Sequence, residues 1–172
     1  GNGFFSGAIE EAGAKLLEKN FLKHGIEPIF NESAVEFTGD EMMIVFGAPI
    51  KHPDDPERAV RTALQMLEEL KKVNERLSQE GFPKIDIGIG INTGVAVAGN
   101  IGSEKRMAYT VIGQNVNLAA RLVSLAQKGE ICLSESTYEK AKNLIHAIPQ
   151  TVSIKGIENP VMIYRFSSIG SS

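Results

Sequence analysis

Two polar side chains in the second half of the sequence are spaced to hold a phosphorylated ligand. Asn117 and Arg121 lie four residues apart in a segment with helical apolar spacing, so they share one face near the N-terminal half of a helix. A guanidinium can donate two parallel hydrogen bonds to phosphoryl oxygens, which makes a clamp for phosphate and sugar one interpretation. The other is a capped helix with a solvated arginine, and the spacing alone does not decide between them.

Two further charged residues stand beside glycines. Asp40 follows Gly39 between two β-rich runs, where aspartate and glycine are preferred turn residues. A carboxylate on a hairpin is also a good ligand for magnesium bound to substrate phosphates. Lys155 precedes Gly156 and, taken alone, reads as an ordinary exposed lysine. Neither residue establishes a site by itself.

The elements that must position these residues form one domain over residues 1–172. Several strand pairs have short connections, which favours an α+β sandwich with helices on one face of a largely antiparallel sheet. The strand over 85–91 alternates apolar with small or polar residues, so we expect one buried face. A tail over 167–172 is expected to fray. Apolar periodicity and turn residues predict helices over 8–31, 56–81, 115–126 and 135–144, a hairpin over 35–47, and strands over 85–91, 95–99, 109–113, 131–133, 152–156 and 161–166.

Composition restricts the classes of partner. A formal net charge of −3 gives no basic face for nucleic acid, so any polyanionic substrate must be held by a few local cations. The single cysteine, Cys132, lies in an apolar run and is predicted to be a small buried strand residue rather than a catalytic thiol. No apolar run is long enough to span a bilayer. We therefore expect a soluble cytoplasmic domain that could belong to a longer, membrane-anchored protein.

Six segments together resemble the class III adenylate and guanylate cyclase catalytic domain of bacterial type. They follow the family's order and spacing from about residue 16 to residue 166. One such motif would be weak evidence, whereas six in register make a chance resemblance very improbable. The segments are Thr38-Gly39-Asp40 with Val45-Phe46-Gly47-Ala48-Pro49, Gly90-Ile91-Asn92-Thr93-Gly94, Gly99-Asn100-Ile101-Gly102-Ser103, Thr110-Val111-Ile112-Gly113, Val116-Asn117-Leu118-Ala119-Ala120-Arg121-Leu122 and Lys155-Gly156-Ile157.

The resemblance implies a ferredoxin-like two-layer sandwich that forms a head-to-tail homodimer with active sites at the interface. It implies a phosphorus–oxygen lyase that converts a purine nucleoside triphosphate to its 3′,5′-cyclic monophosphate and pyrophosphate for intracellular signalling. Two Mg²⁺ or Mn²⁺ ions are expected to activate the attacking 3′-oxygen and to neutralise the departing phosphates. Sensory or membrane modules could precede the domain in a longer chain.

The family's functional residues map onto single positions of this sequence. Asp40 matches a metal-binding carboxylate, Asn117 matches the residue that orients the ribose, and Arg121 matches the one that stabilises charge on the pentavalent phosphorus. Lys155 matches a lysine that binds the triphosphate. In the family pattern, Asp40 of one protomer faces the other residues of the partner protomer, so a monomer would be inactive.

Two positions match the family's readers of the purine base, Glu36 and Thr110. Adenylate cyclases usually have lysine where Glu36 stands, whereas guanylate cyclases have glutamate. A carboxylate can accept hydrogen bonds from guanine N1 and N2, and the Thr110 hydroxyl can donate or accept. We therefore favour GTP over ATP, while an exposed Glu36 that reads nothing is the alternative.

One family feature has no counterpart in the sequence. The family carries a second metal-binding aspartate on its first strand, but no aspartate precedes Asp40. We expect this strand to be missing or altered, with the absent residue at or before the start of the sequence or in a deleted stretch. A catalytically silent module that binds nucleotide or a partner is therefore the second hypothesis beside an active cyclase.

Overall fold

The computed structural model describes the backbone of residues 2–8, 33–38, 41–103 and 106–168, and the side chains of 41–47, 50–97 and 112–168. Within these residues the order of elements alternates strands and helices. The strands are β1 Asn2–Ala8, β2 Ser33–Thr38, β3 Glu41–Pro49, β4 Gly88–Gly94, β5 Val97–Ser103, β6 Arg106–Ile112, β7 Glu130–Ser134, β8 Ile148–Val152 and β9 Val161–Ser167. The helices are α1 Asp55–Gln79, α2 Gln114–Leu125 and α3 Glu135–Ala141.

Seven strands form one sheet in the order β2-β3-β1-β4-β7-β9-β8, and β5 and β6 form a separate two-stranded ribbon. All described pairings are antiparallel except that of β4 with β7. The predicted α+β architecture, a mostly antiparallel sheet with helices packed on it, is confirmed. No helix in the described part of the chain has the length and apolar character needed to cross a bilayer.

The central strand β4 explains how the helices are distributed. Its isoleucines, with Ile87 just before it, point into the main core beneath α1, and Ile89 and Ile91 are fully buried there. Its glycines face the other way, and α2 packs directly on them. Sequence analysis expected one buried face and helices on one side of the sheet. Both faces of β4 are covered instead, because residues without side chains let a second helix approach closely.

Helix α1 forms as predicted. Pro56 stands in its first turn, where a missing amide hydrogen costs nothing, and Gly81 follows its end with a φ of 81°. Asp55 is fully buried at the start, and its carboxylate accepts from the backbone nitrogen of His52 at 2.9 Å and from Arg58 Nη1 at 3.2 Å. The helix is thereby attached to the connection that follows β3.

The β4 strand begins later than predicted, at Gly88 rather than residue 85. The side chain of Asn74 on α1 bonds both backbone groups of Ile85, accepting from its nitrogen at 2.8 Å and donating to its oxygen at 2.9 Å. Both backbone groups of Ile85 already have a hydrogen-bond partner in this side chain, so they do not need a neighbouring strand.

The strand predicted over 152–156 is wrong in position, since β8 covers Ile148–Val152. Ile157 N donates to Ile154 O at 3.0 Å, and Gly156 has a φ of 91°, so the chain turns there. At the C-terminal end, Ser167 pairs with Glu130, and Ser168 bonds to the Gly129 carbonyl, so these two residues are held by the sheet where fraying was expected.

Strand β1 was not predicted as a strand. It lies between β3 and β4 in the middle of the sheet, with Gly3 opposite Phe46 and Thr93. The helix predicted over 8–31 begins at a residue that belongs to β1, and the rest of it lies outside the described residues.

Candidate active site

Helix α2 is attached to the β5–β6 ribbon by a single residue. Gly113 has a φ of 145° and a ψ of 172°, a combination that is essentially restricted to glycine. The Asn117 nitrogen donates to the Gly113 carbonyl at 3.2 Å and begins the helical hydrogen bonding. Strand β6, which carries Thr110, therefore leads directly into the helix that carries Asn117 and Arg121.

A cleft of about 590 Å³ lies between α2 and the turn that precedes β9. Asn117 and Arg121 line it from the helix, and Lys155 lines it from the turn. The Asn117 and Arg121 pair and Lys155, which sequence analysis selected separately from that pair, thus line one cleft within one protomer. The other lining residues are Gln114, Asn115, Leu118, Ile154, Gly156, Ile157 and Glu158.

The turn that presents Lys155 depends on its glycine. The hydrogen bond from Ile157 N to Ile154 O closes a four-residue turn, with Lys155 second and Gly156 third. A positive φ at the third position is the mark of a type II turn and strongly favours glycine there. Gly156 therefore fixes the turn that places the charged Lys155 side chain beside the cleft.

The cations of the cleft are available for a ligand. Among the side chains that the structure describes, neither Arg121 nor Lys155 has an ion-pair partner within 4.0 Å, and both are exposed. Arg165 is the opposite case, because its Nη1 contacts a Glu130 carboxylate oxygen at 2.6 Å and also donates to the Leu125 carbonyl. One carboxylate, Glu158, also lines the cleft. A polyanion with several phosphoryl oxygens fits two such cations.

The remaining predicted site residues are described only in part. Glu36 lies on β2, the edge strand of the seven-stranded sheet, opposite Met43. Thr110 lies on β6, opposite Gly99 in the two-stranded ribbon. Their side chains, and the whole of Asp40, lie outside the described part of the chain. The base-reading and metal-binding roles of these residues stay predictions.

The strand register shows how the first residue of β3 lies relative to the start of α2. Glu41, the neighbour of Asp40, is level with Ala8 of β1, which is level with Gly88 at the first residue of β4. Asn115 at the start of α2 packs against Gly94, the last residue of β4. At about 3.3 Å per residue, these two ends of β4 are roughly 20 Å apart along the strand.

A divalent metal is expected from the resemblance, so the donor atoms on the strand beside β3, which follows Asp40 in the sequence, are relevant. Strand β1 runs beside β3 up to Glu41 and has the sequence Asn-Gly-Phe-Phe-Ser-Gly-Ala, which contains no carboxylate. In the part of the chain that the structure describes, no group of three His, Cys, Asp or Glu side chains could hold a metal ion. The described residues therefore do not supply a two-metal site.

Cys132 is buried on β7 beside Leu122 and Ile163, which confirms the prediction of a small core residue. Burial raises the pKa of its thiol to about 11, an effect that Arg165 partly offsets. The thiol is therefore protonated near neutral pH and is a poor nucleophile.

Sequence analysis missed two asparagines that hold the cleft in place. Asn92 is 1% exposed on β4, and its Nδ2 donates to the Asn115 carbonyl at 2.9 Å and to Asn115 Oδ1 at 3.1 Å. Asn115 Nδ2 in turn donates to the Val95 carbonyl at 2.9 Å. The available signal was an asparagine directly after the apolar run Ile89–Ile91, since a buried amide needs partners from another element.

Comparison with known proteins agrees with this geometry. Residues 26–168 match the family model described as the adenylate and guanylate cyclase catalytic domain. The solved structure of the guanylyl cyclase Cya2 is 33% identical and superimposes with a TM-score of 0.83, over 99% of this chain and 93% of that one. The adenylyl cyclase CyaB from P. aeruginosa is 31% identical with a TM-score of 0.83, over 95% and 92% of the two chains.

A curated relative, adenylate cyclase 1 of Rhizobium meliloti, is 29% identical over 158 residues, which is 90% of this chain. The chain spans about a quarter of the length of the curated relatives that it matches.

Proposed function

Because the chain belongs to the family of adenylate and guanylate cyclase catalytic domains, we propose that it converts a purine nucleoside triphosphate to the 3′,5′-cyclic monophosphate and pyrophosphate. The observation that carries the proposal is the shared cleft of Asn117, Arg121 and Lys155. A fold alone does not specify an activity, whereas three ligand-binding groups on one cleft are a property of the site.

The reaction is a displacement at the α-phosphorus by the 3′-oxygen of the same nucleotide, with pyrophosphate as the leaving group. The protein's part is to position the reacting atoms and to stabilise developing charge. Asn117 orients the ribose, so that its 3′-oxygen is in line with the phosphorus–oxygen bond that breaks. Arg121 donates to the phosphoryl oxygens of the pentavalent phosphorus, and Lys155 binds the departing phosphates.

Asp40 is the carboxylate that we assign to the metal. A divalent cation held there would neutralise charge on the nucleotide's phosphates. Since no aspartate precedes Asp40 in the sequence, this chain offers one of the two carboxylates expected from the family. We expect weak metal binding and slow turnover.

We assign the purine to Glu36 and Thr110, with GTP favoured over ATP. Whole-chain similarity does not discriminate between the bases, because a guanylyl cyclase and an adenylyl cyclase resemble this chain to almost the same degree. The assignment depends on the carboxylate of Glu36, which can accept from guanine but meets an unprotonated N1 in adenine.

The active form that we propose is a homodimer with sites at its interface. Three large apolar side chains are exposed at the base of the β5–β6 ribbon, next to the start of α2: Val95 at 79%, Val97 at 67% and Ile112 at 54%. Val97 and Ile112 are paired across the ribbon, so they form one patch. An apolar patch beside a ligand cleft supports burial against a second protomer.

A catalytically silent regulatory module is the second candidate. The observation that favours it is β1, which pairs with β3 and contains no carboxylate. Such a module would still bind a nucleotide through the cations of the cleft but would not turn it over.

The experiment that separates the two candidates is incubation of the purified protein with Mg²⁺ or Mn²⁺ and each of ATP and GTP, with chromatography of the products. Cyclic nucleotide and pyrophosphate in equal amounts are expected. Nucleotide binding without cyclic product under every condition would favour the silent module.

A further inference from the structure

We propose that Asn115 is a positioning residue of this site, which fixes the first turn of α2 so that Asn117 and Arg121 face the cleft. This inference rests on the proposed function. Asn115 uses its side chain and its carbonyl at once, since both accept from Asn92 Nδ2, while its own amide nitrogen donates to Val95 O. It therefore ties the helix to the end of β4 and to the connection that leads into the ribbon.

Asn92 and the end of β4, to which Asn115 is bonded, are themselves held in place by α3. Asn92 is buried, and the Ser136 hydroxyl on α3 donates to the Thr93 carbonyl at 2.8 Å while lying 3.5 Å from Asn92 Oδ1. Thr93 and Thr137 bond through their hydroxyl groups at 2.9 Å. Helix α3 thus fixes the end of β4, and the end of β4 in turn fixes the orientation of α2.

Helix α2 lacks the usual means of fixing its start. Gly113 at the N-cap has no side chain, and no side-chain capping bond is present there. A Cβ at Gly94 would overlap the Asn115 side-chain amide. The two residues are therefore in close contact, and α2 has no space to slide along β4. Without the Asn115 side-chain amide, the first turn would keep only the bond from Asn92 Nδ2 to the Asn115 carbonyl and the packing of Val116 against Val45 and Ala119, and a small rotation would swing Asn117 and Arg121 away from the phosphates.

The variants that test this are Asn115→Ala and a matched control, Asn74→Ala. Asn74 makes the same kind of two-bond amide bridge, to both backbone groups of Ile85, but it lies on α1, outside the residues that line the cleft. Both variants lose one amide bridge between two elements, so they should lower the melting temperature to a similar degree. Only Asn115→Ala should lower kcat, by roughly tenfold or more, with KM changed less than about threefold.

A double variant separates positioning from general damage. If Asn115 acts through Asn117 and Arg121, Asn115→Ala should cause a clearly smaller loss of kcat in an Arg121→Ala background than in the wild type, because one of the two groups that it positions is already absent. Equal losses of kcat in Asn115→Ala and Asn74→Ala would overturn the inference. A full additional loss in the Arg121→Ala background would also overturn it.

A second measurement does not depend on turnover, so a failure of the proposed function is distinguishable from a failure of this inference. The side-chain NMR signal of Arg121, assigned by its loss in Arg121→Ala, is followed while inorganic pyrophosphate is added. We expect a response in the wild type and in Asn74→Ala, and a response at least severalfold weaker in Asn115→Ala. An equal response in all three proteins would contradict the positioning role, whereas no response in the wild type would contradict the proposed function on which it rests.

Discussion

Arg121 and Lys155 line the same cleft from two different elements, the helix α2 and the turn before β9. Neither has an ion-pair partner within 4.0 Å among the described side chains. Exposed cations that face one cavity contribute little to folding, so their placement is better explained by a ligand than by stability.

Arg121→Ala should therefore remove most turnover and leave the fold intact. Loss of one donor to transition-state charge costs on the order of a hundredfold or more in kcat, and loss of an exposed arginine changes stability by less than about 1 kcal/mol. Steady-state kinetics and thermal unfolding of the same preparation measure the two effects. Arg61→Ala, an exposed arginine on α1 that is 3.7 Å from Asp54, is the control and should change neither. An unfolded Arg121→Ala protein would indicate a packing role instead.

Gly90→Ala should destabilise the domain by about 3 kcal/mol, because the added methyl group overpacks a helix backbone. Its Cβ would lie 2.5 Å from the Val123 nitrogen and 2.7 Å from the Ala119 carbonyl oxygen. Gly88→Ala is the matched control on the same face, where the nearest atoms belong to Ala126 beyond the helix end, at 3.2 Å, and it should cost less than about 1 kcal/mol. Denaturant unfolding gives both values. Equal effects would show that α2 does not pack this closely on β4.

Glu36→Lys should shift preference from GTP towards ATP, even if total activity falls. A site that hydrogen-bonds one base edge penalises a base without the matching groups by about 1–3 kcal/mol, or roughly ten- to a hundredfold in relative kcat/KM. Thr110 should tolerate the change, since its hydroxyl can reverse its role. The measurement is the ratio of kcat/KM for the two nucleotides in each protein. A wild type that already prefers ATP, with no shift in the variant, would show that Glu36 reads nothing.

The protein should self-associate through the patch of Val95, Val97 and Ile112. Val97→Asp would place a charge in an apolar interface and should shift the light-scattering mass from dimer towards monomer at micromolar concentration. Ile148→Asp is the control, because Ile148 is equally exposed, at 68%, but lies on the edge strand β8. A wild type that is strictly monomeric with nucleotide and metal present would count against a shared site.

Much of the fold was predictable because local patterns agree with it. The apolar stripe of α1, with Pro56 at its start and Gly81 after its end, gave correct limits within two residues. A serine directly before a helix is a common N-cap, and Ser134 Oγ accepts from the Thr137 nitrogen at 3.3 Å at the start of α3. Asn117, Arg121 and Lys155 were selected from motifs, and they line one cleft.

The remaining features depend on contacts between distant segments. β1 has two glycines and little alternation, so only its neighbours β3 and β4 define it as a strand. The two-sided burial of β4 needs α2 to lie on its glycines, which no local pattern reveals. The Asn92–Asn115 pair likewise joins segments that are separate in sequence.

The claim that two protomers share each site is tested most directly by mixing two inactive variants. In the family pattern that the sequence resembles, the metal-binding carboxylate and the arginine come from different protomers, so Asp40→Ala and Arg121→Ala remove groups that we place on opposite sides of the interface. Each variant alone should be inactive. After subunit exchange, half of the dimers carry one intact site, so the mixture should recover about a quarter of the wild-type rate of cyclic nucleotide formation. No recovery in a mixture shown to exchange subunits, or full activity of either variant alone, would contradict the shared site.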